Sequence, residues 1–303
     1  MTIRGVLPVV QIPYNDDESI DFATFEKEVD WLFDCGVNGI VYGMVSEVLR
    51  CTETERDELV RAGVKFARGR GPVVASAGGE SIQQAVRHGK AAEQAGAAAL
   101  MITPPALTRC SSDEITRYYA SILSATTLPI IVQDASGYIG NAISIATQAE
   151  LYRRHPERIL FKPEAPPFGA NLSALRDATG GNAAIFEGTG GVALMDSYRR
   201  GIQGTMPGAD MPWAFVKLWK ALELGDEVLA RRIHLPIAAL ISMMTNLDSF
   251  LAMEKLFLVK QGIFKSRRVR GPVGFKLDSE TELEWLRLFE LLLDNCRGGD
   301  RIG

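Results

Sequence analysis

The sequence predicts an α/β chain, a (β/α)8 TIM barrel over residues 1–224 with a C-terminal all-helical extension over residues 225–303. Three observations carry that reading. Eight short, almost wholly apolar runs each precede an amphipathic segment, the eight units fit in ~220 residues, and beyond Gly225 only helical patterns remain. Strands that are apolar throughout are strands covered on both faces, and strict strand–helix alternation makes neighbouring strands parallel. Eight such units suit a closed barrel better than an open doubly wound sheet. No Gly-x-Gly-x-x-Gly follows the first apolar run, as a dinucleotide-binding sheet would show.

The first strand is expected within Val6–Ile12, before the acidic turn Asn15–Glu18. Phe22, Phe25, Val29, Leu32 and Phe33 then recur at helical spacing, and Gly36 ends that helix because glycine accepts the left-handed conformation there. The second strand is Gly39–Tyr42. Thr52 caps the next helix, and Glu55 three residues on completes a capping box. Val73–Ala77, Ala98–Ile102, Pro129–Val132, Ile159–Phe161, Ala184–Phe186 and Gln203–Met206 supply the remaining strands. Their helices are expected at Ser81–Ala95, Ser112–Ser124, Ile145–Arg154, Leu172–Thr179, Val192–Arg199 and Pro212–Leu222. The extension is read as helices over Glu227–Met244, Leu247–Gly262 and Ser279–Leu293, and Arg297–Gly303 as a frayed tail.

Composition narrows the function classes. The chain has 303 residues, 47% hydrophobic and 23% charged, with a formal net charge of -4. That balance offers no basic footprint for nucleic acid. No run reaches the ~18 apolar residues of a membrane helix, and the N-terminus lacks the layout of a signal peptide. Cys35, Cys51, Cys110 and Cys296 form no Cys-x-x-Cys pair, and the three histidines are far apart, so neither a His/Cys metal site nor a disulfide framework is expected. Reduced thiols point to a cytoplasmic setting.

Catalytic groups of a barrel stand at the C-terminal ends of its strands. That rule leaves Gly43, Ser46 and Glu47 after strand 2, Thr103 and Thr108 after strand 4, and Gln133 and Asp134 after strand 5. Lys162 and Glu164 follow strand 6, Glu187, Gly188 and Thr189 follow strand 7, and Met206 and Asp210 follow strand 8. Lys162 is the sharpest of these. Its stem leaves Ile159-Leu160-Phe161 and its amine enters the barrel mouth, where desolvation favours the neutral nucleophile that attacks a ketone. The alternative for the same residue is a strand-end lysine paired with Glu164 or Glu187. Gly43–Glu47 offers backbone N–H groups to a carboxylate, or is a plain loop leading to the capped helix. Asp134 is a candidate base or a turn cap, and Arg50, Arg109 and Tyr138 are further candidates for a substrate carboxylate.

Val10-Gln-Ile-Pro-Tyr14, Gly36-Val-Asn-Gly-Ile40, Gly43-Met-Val-Ser-Glu47, Thr52-Glu-Thr-Glu-Arg56, Ala95-Gly-Ala97 to Thr103-Pro-Pro105, Leu128-Pro-Ile-Ile131 and Ile159–Lys162 together resemble the dihydrodipicolinate synthase / N-acetylneuraminate lyase family over almost the whole chain. The resemblance implies a Schiff base between Lys162 and pyruvate or another small 2-oxo acid, no cofactor, and a homo-oligomer, tetramer or dimer. It also implies that the N–H groups of Val45 and Ser46 hold the substrate carboxylate.

The departures are specific. The family loop Gly-Thr-Thr-Gly-Glu reads Gly43-Met-Val-Ser-Glu47 here, which removes both hydroxyls of the family's proton relay. The tyrosine of Tyr-Asn-x-Pro is replaced in Gln133-Asp134-Ala135-Ser136, the Tyr-Tyr after strand 4 by Pro105-Ala106, and an arginine by Tyr138. Lys162, Glu164, Gln133 and Asp134 are therefore the expected catalytic residues, with Glu164 first in line to move protons. Gly43, Val45, Ser46, Glu47, Glu187, Gly188 and Met206 are the expected substrate contacts. These departures argue against lysine-biosynthetic synthase activity and leave room for aldol cleavage or dehydration of a 3-deoxy 2-oxo sugar acid or a 4-hydroxy-2-oxo acid, with aldolase, dehydratase and synthase chemistry on a 2-oxo acid all open. A binding protein without chemistry, and a metal-dependent enzyme using Glu164, Glu187 and Asp210, are the competing readings.

Overall fold

Alternation of apolar strand and amphipathic helix closes into a barrel. The computed structural model describes residues 2–297. Its strands are β1 (Gly5–Val6), β2 (Ile40–Val41), β3 (Val73–Ser76), β4 (Ala99–Ile102), β5 (Ile130–Asp134), β6 (Ile159–Pro163), β7 (Phe186–Glu187) and β8 (Gly204–Thr205). β2 to β6 pair in sequence order, and β7, β8 and β1 form the rest of the wall, every pair parallel. Single bridges from Val9 to Val41 and from Phe161 to Ile185 join the two arcs into a ring. The first strand is shorter than the apolar run Val6–Ile12 suggests. Pro8 has no N–H to donate, so pairing breaks there and resumes at Val9.

Eight helices follow the strands: α1 (Phe22–Asp34), α2 (Glu53–Ala67), α3 (Ile82–Ala95), α4 (Ser112–Ala125), α5 (Ile145–Arg154), α6 (Phe168–Ala178), α7 (Leu194–Arg199) and α8 (Pro212–Glu223). Their starts are chemically marked. Thr52 with Glu55 and Ser81 with Gln84 form capping boxes, and Asp21, Ser111 and Ser144 each accept an N–H from the first turn. Gly36 and Gly96 both sit at φ +89° just past a helix end, where a Cβ would be strained. α6 begins four residues before the expected Leu172, because Pro167 as N-cap launches it earlier.

Side-chain alternation along the strands sorts the core into two layers. Leu7, Val9, Val41, Val74, Met101, Ile131, Phe186 and Met206 fill the barrel interior as one cluster. The opposite strand faces, with Ile40, Ala75, Leu100, Ile130, Val132 and Phe161, pack on the surrounding helices.

Beyond residue 224 the described residues contain three helices and no strand: α9 (Glu227–Ser242), α10 (Leu247–Lys260) and α11 (Ser279–Arg297). The tail expected after Arg297 lies outside the described residues. None of the described helices is long and apolar enough to cross a membrane. The extension is fastened to the barrel by charge as well as by apolar contact. Lys255 on α10 is fully buried, and its ammonium donates to Glu47 Oε1 (2.5 Å), the Ile12 carbonyl (2.9 Å) and the Arg268 carbonyl (2.6 Å). Arg50 pairs with Asp248 at 2.5 Å, and Arg270 with Glu55 at 2.5 Å.

Removing one partner of a buried pair strands the other charge. Lys255→Met should therefore lower unfolding stability by about 3–5 kcal/mol in urea titration. A loss below about 1 kcal/mol would show that the Glu47–Lys255 contact fastens nothing.

Candidate active site

Lys162 sits one residue from the end of β6, in register with Gln133 on β5, so both side chains project from the same face of the wall. The lysine is 4% exposed. Its ammonium nitrogen lies 2.8 Å from Glu164 Oε1, and Gln133 Nε2 donates to that same oxygen at 2.8 Å. Glu164 Oε2 takes no hydrogen bond among the described residues. Burial raises the Glu164 carboxyl above its ordinary range. The ammonium of Lys162 and the hydrogen bonds from Lys162 and Gln133 oppose that rise, and the charge of Glu187 adds to it. The ion pair expected as the alternative to an active lysine is thus present, and a cavity opens beside it.

That cavity is a cleft of about 650 Å³, its open mouth included, and Lys162, Glu164 and Gln133 form part of its wall. Gly188 makes room for the pair. A Cβ at that position would lie 2.5 Å from Lys162 Cε and 2.6 Å from Glu164 Oε1. Gly43, Val45 and Met206 also line the cleft, as does Met44. Met44–Ser46 forms one 3₁₀ turn, whose first N–H groups, those of Met44 and Val45, have no partner among the described residues.

Other expected site residues turn away from the cleft. Ser46 is consumed by its own loop: its N–H donates to the Gly43 carbonyl (3.0 Å), its hydroxyl accepts from Gly43 N–H (3.1 Å) and donates to the Val10 carbonyl (2.5 Å). Glu47 points to Lys255 and accepts the Arg270 N–H (3.0 Å). Asp134 follows Gln133 and so faces the other side of the strand. There it accepts N–H groups of Ser136 (3.1 Å) and Ile143 (3.2 Å), bracing the loop between them. Both oxygens of Glu187 are occupied, by Thr189 N–H (2.7 Å) and Gly191 N–H (3.3 Å) on one and the Thr205 hydroxyl (2.6 Å) on the other. Arg50 is held by Asp248, and Arg109 lies on an exposed loop outside the cleft.

The structure brings two further sequence candidates, Tyr138 and Asp210, to the cleft and adds Ile241, Leu247, Phe250 and Glu254, which a strand-end rule misses. Tyr138, on the loop braced by Asp134, lines the cleft with its ring edge-on to Phe250. Burial and then the charges of Glu164 and Glu187 push its phenol up to about 12, so it stays protonated at neutral pH. Leu247, Phe250 and Glu254 enter from α10, and Ile241 from α9. The spacing Leu247, Phe250, Glu254 is one face of a helix, and the glutamate within that otherwise apolar face was the available signal. Asp210 is 2% exposed and lines the same cleft beside Glu254, and burial pushes its carboxyl up to about 7. Glu164, Glu187 and Asp210 do not converge. Among the described residues no three His, Cys, Asp or Glu side chains form a metal-binding group.

The model of the dihydrodipicolinate synthetase family matches residues 2–287. An L-2-keto-3-deoxyarabonate dehydratase of Azospirillum brasilense is 30% identical over 294 residues, covering 94% of this chain and 93% of that protein. Among solved structures, the 4-hydroxy-tetrahydrodipicolinate synthase of Methylacidiphilum fumariolicum SolV superposes with a TM-score of 0.88 at 21% identity, over 97% of each chain. The dihydrodipicolinate synthase of Rhodopseudomonas palustris gives a TM-score of 0.86 at 23% identity, over 96% of this chain and 98% of that one. At those identities the two structures speak for the fold, and the family match together with the dehydratase speaks for descent: the chain belongs to the dihydrodipicolinate synthetase family.

Proposed function

We propose that this protein is a Schiff-base-forming lyase in which Lys162 attacks the keto carbon of a small 2-oxo acid. The observation that carries the reading is the Lys162 amine, 2.8 Å from Glu164, at the wall of an open cleft. A lysine buried only to stabilise the fold needs no cavity at its nitrogen and no glycine shaped around its stem. In the proposed chemistry the nitrogen bonds to the keto carbon as the carbonyl π pair moves to oxygen. Glu164 takes two protons from the nitrogen in turn, one as the ammonium becomes the attacking amine and one from the adduct, and passes both to that oxygen, which leaves as water from a protonated imine. The imine then draws electrons from the neighbouring C–H or C–C bond. Tyr138 supplies a phenol in a cleft where the strand-5 tyrosine of the family is replaced by Gln133. The unpartnered N–H groups of Met44 and Val45 are placed to hold the carboxylate.

The chain's match to a dehydratase named for a 3-deoxy 2-oxo sugar acid supports that substrate class over lysine-biosynthetic condensation. Assembly as a homo-oligomer is part of the same reading.

Incubation with pyruvate and borohydride should add one reduced adduct to the protein, located at Lys162 by peptide mass, and Lys162→Ala should abolish it. A protein that binds without chemistry would give no adduct and keep its ligand in the alanine variant. Glu164→Gln should slow adduct formation by roughly 10²–10⁴-fold. Gly188→Ala should suppress the adduct at a stability cost of about 1–3 kcal/mol, because its methyl group displaces Lys162 and Glu164. An alanine variant that traps pyruvate at the wild-type rate would show that the fit around the lysine is unimportant.

A further inference from the structure

A second pair of acids lines the cleft two strands round the barrel from Lys162, and the Schiff-base step does not use it. Asp210 follows β8 and Glu254 comes from α10; they are 2% and 3% exposed. A Cβ built at Gly208 would lie 2.5 Å from Glu254 Oε1 and 2.8 Å from Asp210 Oδ1, so both carboxyls converge on that glycine. Gln11, in the buried segment that follows β1, donates its side-chain amide to Glu254 Oε2. Asp210 Oδ2 is buried and has no partner among the described residues.

Among the described residues no cation pairs directly with these two acids. Glu28 of α1 is the next acid inward, and its Oε1 accepts the Gln11 backbone N–H at 2.9 Å. Lys255 spends its hydrogen bonds on Ile12, Glu47 and Arg268. Two carboxyls this close in a buried wall cannot both stay ionised, so they hold a proton between them. Burial and the charges of Asp210 and Glu28 push the Glu254 carboxyl far above its ordinary range, in keeping with that arrangement. An unpartnered carboxyl oxygen beside a cleft is costly unless a ligand group meets it.

We propose that the Asp210–Glu254 pair binds a substrate hydroxyl two carbons from the keto carbon and protonates it as it leaves, making the protein a dehydratase of hydroxylated 2-oxo acids whose far end carries no charge. The proposal rests on Schiff-base formation at Lys162. Once the imine has lost a proton from C3, the enamine electron pair forms the C3=C4 bond and re-forms the iminium. The C4–O bond breaks, and the oxygen takes the shared proton and departs as water. The pair is re-protonated from solvent. Its remaining negative charge repels a substrate with a carboxylate at the far end.

The test is borohydride trapping with two compounds, pyruvate and 2-oxo-4,5-dihydroxypentanoate racemic at C4. Wild-type protein should yield a pyruvate adduct and, from the dihydroxy acid, an adduct with one oxygen fewer than the intact substrate would leave. Asp210→Asn and Glu254→Gln should keep the pyruvate adduct, which reports a folded site, but trap the dihydroxy acid with its oxygen retained. Variants that still lose the oxygen at the wild-type rate overturn the proposal. So does a wild-type adduct that retains the oxygen, although Schiff-base formation would then stand. Absence of any wild-type adduct sinks the Schiff-base reading itself. Should both variants lose the pyruvate adduct, the wild type decides. It should be trapped by 2-oxo-5-hydroxypentanoate at least about tenfold more readily than by 2-oxoglutarate, and the reverse order overturns the proposal.

Discussion

The cleft depends on keeping one lysine and one glutamate together out of water. Bringing an ammonium and a carboxylate into a barrel mouth costs several kcal/mol per ion unless each is answered at close range. Here the answer is local. Lys162 and Glu164 stand two residues apart on one extended strand end, and Gln133 from the neighbouring strand donates to the same carboxylate oxygen. Gly188 completes the arrangement by having no side chain. The pair is therefore fixed by three adjacent strand ends, β5, β6 and β7.

The opposite wall is built differently. Ile241, Leu247, Phe250 and Glu254 come from the helices beyond the barrel, so a cleft lined mostly by the barrel is walled on one side by the extension. That explains why the strongest buried charge contact of the extension is aimed where it is. Lys255 is the residue after Glu254, and on a helix the two point about 100° apart. One faces the cleft while the other locks onto Glu47, at the end of the turn that carries the free N–H groups of Met44 and Val45. The same helix that supplies an acid to the cleft also holds the loop across from it. Glu47 sits at φ 53°, an unusual conformation for glutamate, and the Lys255 contact and the Arg270 N–H hold its side chain there.

How much of this was legible in the sequence follows from periodicity. The strands and helices were readable because their apolar spacing repeats at 2 or 3.6 residues, and Lys162 and Gly188 were readable because both end an apolar run. Asp134, Ser46, Glu47 and Glu187 also stand near strand ends, yet they serve the scaffold. At β5 one residue separates an inward Gln133 from an outward Asp134, and a strand-end rule does not resolve that parity. Tyr138 could be named as a candidate, but not placed, because its position depends on the path of a loop that Asp134 fixes through the N–H groups of Ser136 and Ile143. Leu247, Phe250 and Glu254 could be assigned to one helix face, but the sequence does not say what that face meets. Helix α6 started early because a proline outweighed the apolar pattern.

The charges that line the cleft impose an orientation on whatever enters it. Lys162 is the only basic side chain among the lining residues, and it is answered by Glu164, while Asp210 and Glu254 add two more carboxyls. Among the described residues no arginine lines the cleft to fork a substrate carboxylate, and Arg50 is held by Asp248. An anionic group is therefore left with backbone N–H donors, and those on offer are at Met44 and Val45, the turn after β2. The far wall, with its acids, suits hydroxyl groups, which donate to a carboxylate and accept from a carboxylic acid. A 2-oxo acid fits both demands in only one direction. In the proposed reading its carboxylate would lie toward the turn, its keto carbon toward Lys162, and the rest of its chain toward Asp210 and Glu254. Electrostatics thus does in this cleft what an arginine clamp does elsewhere, by repulsion along one wall and backbone hydrogen bonds along the other.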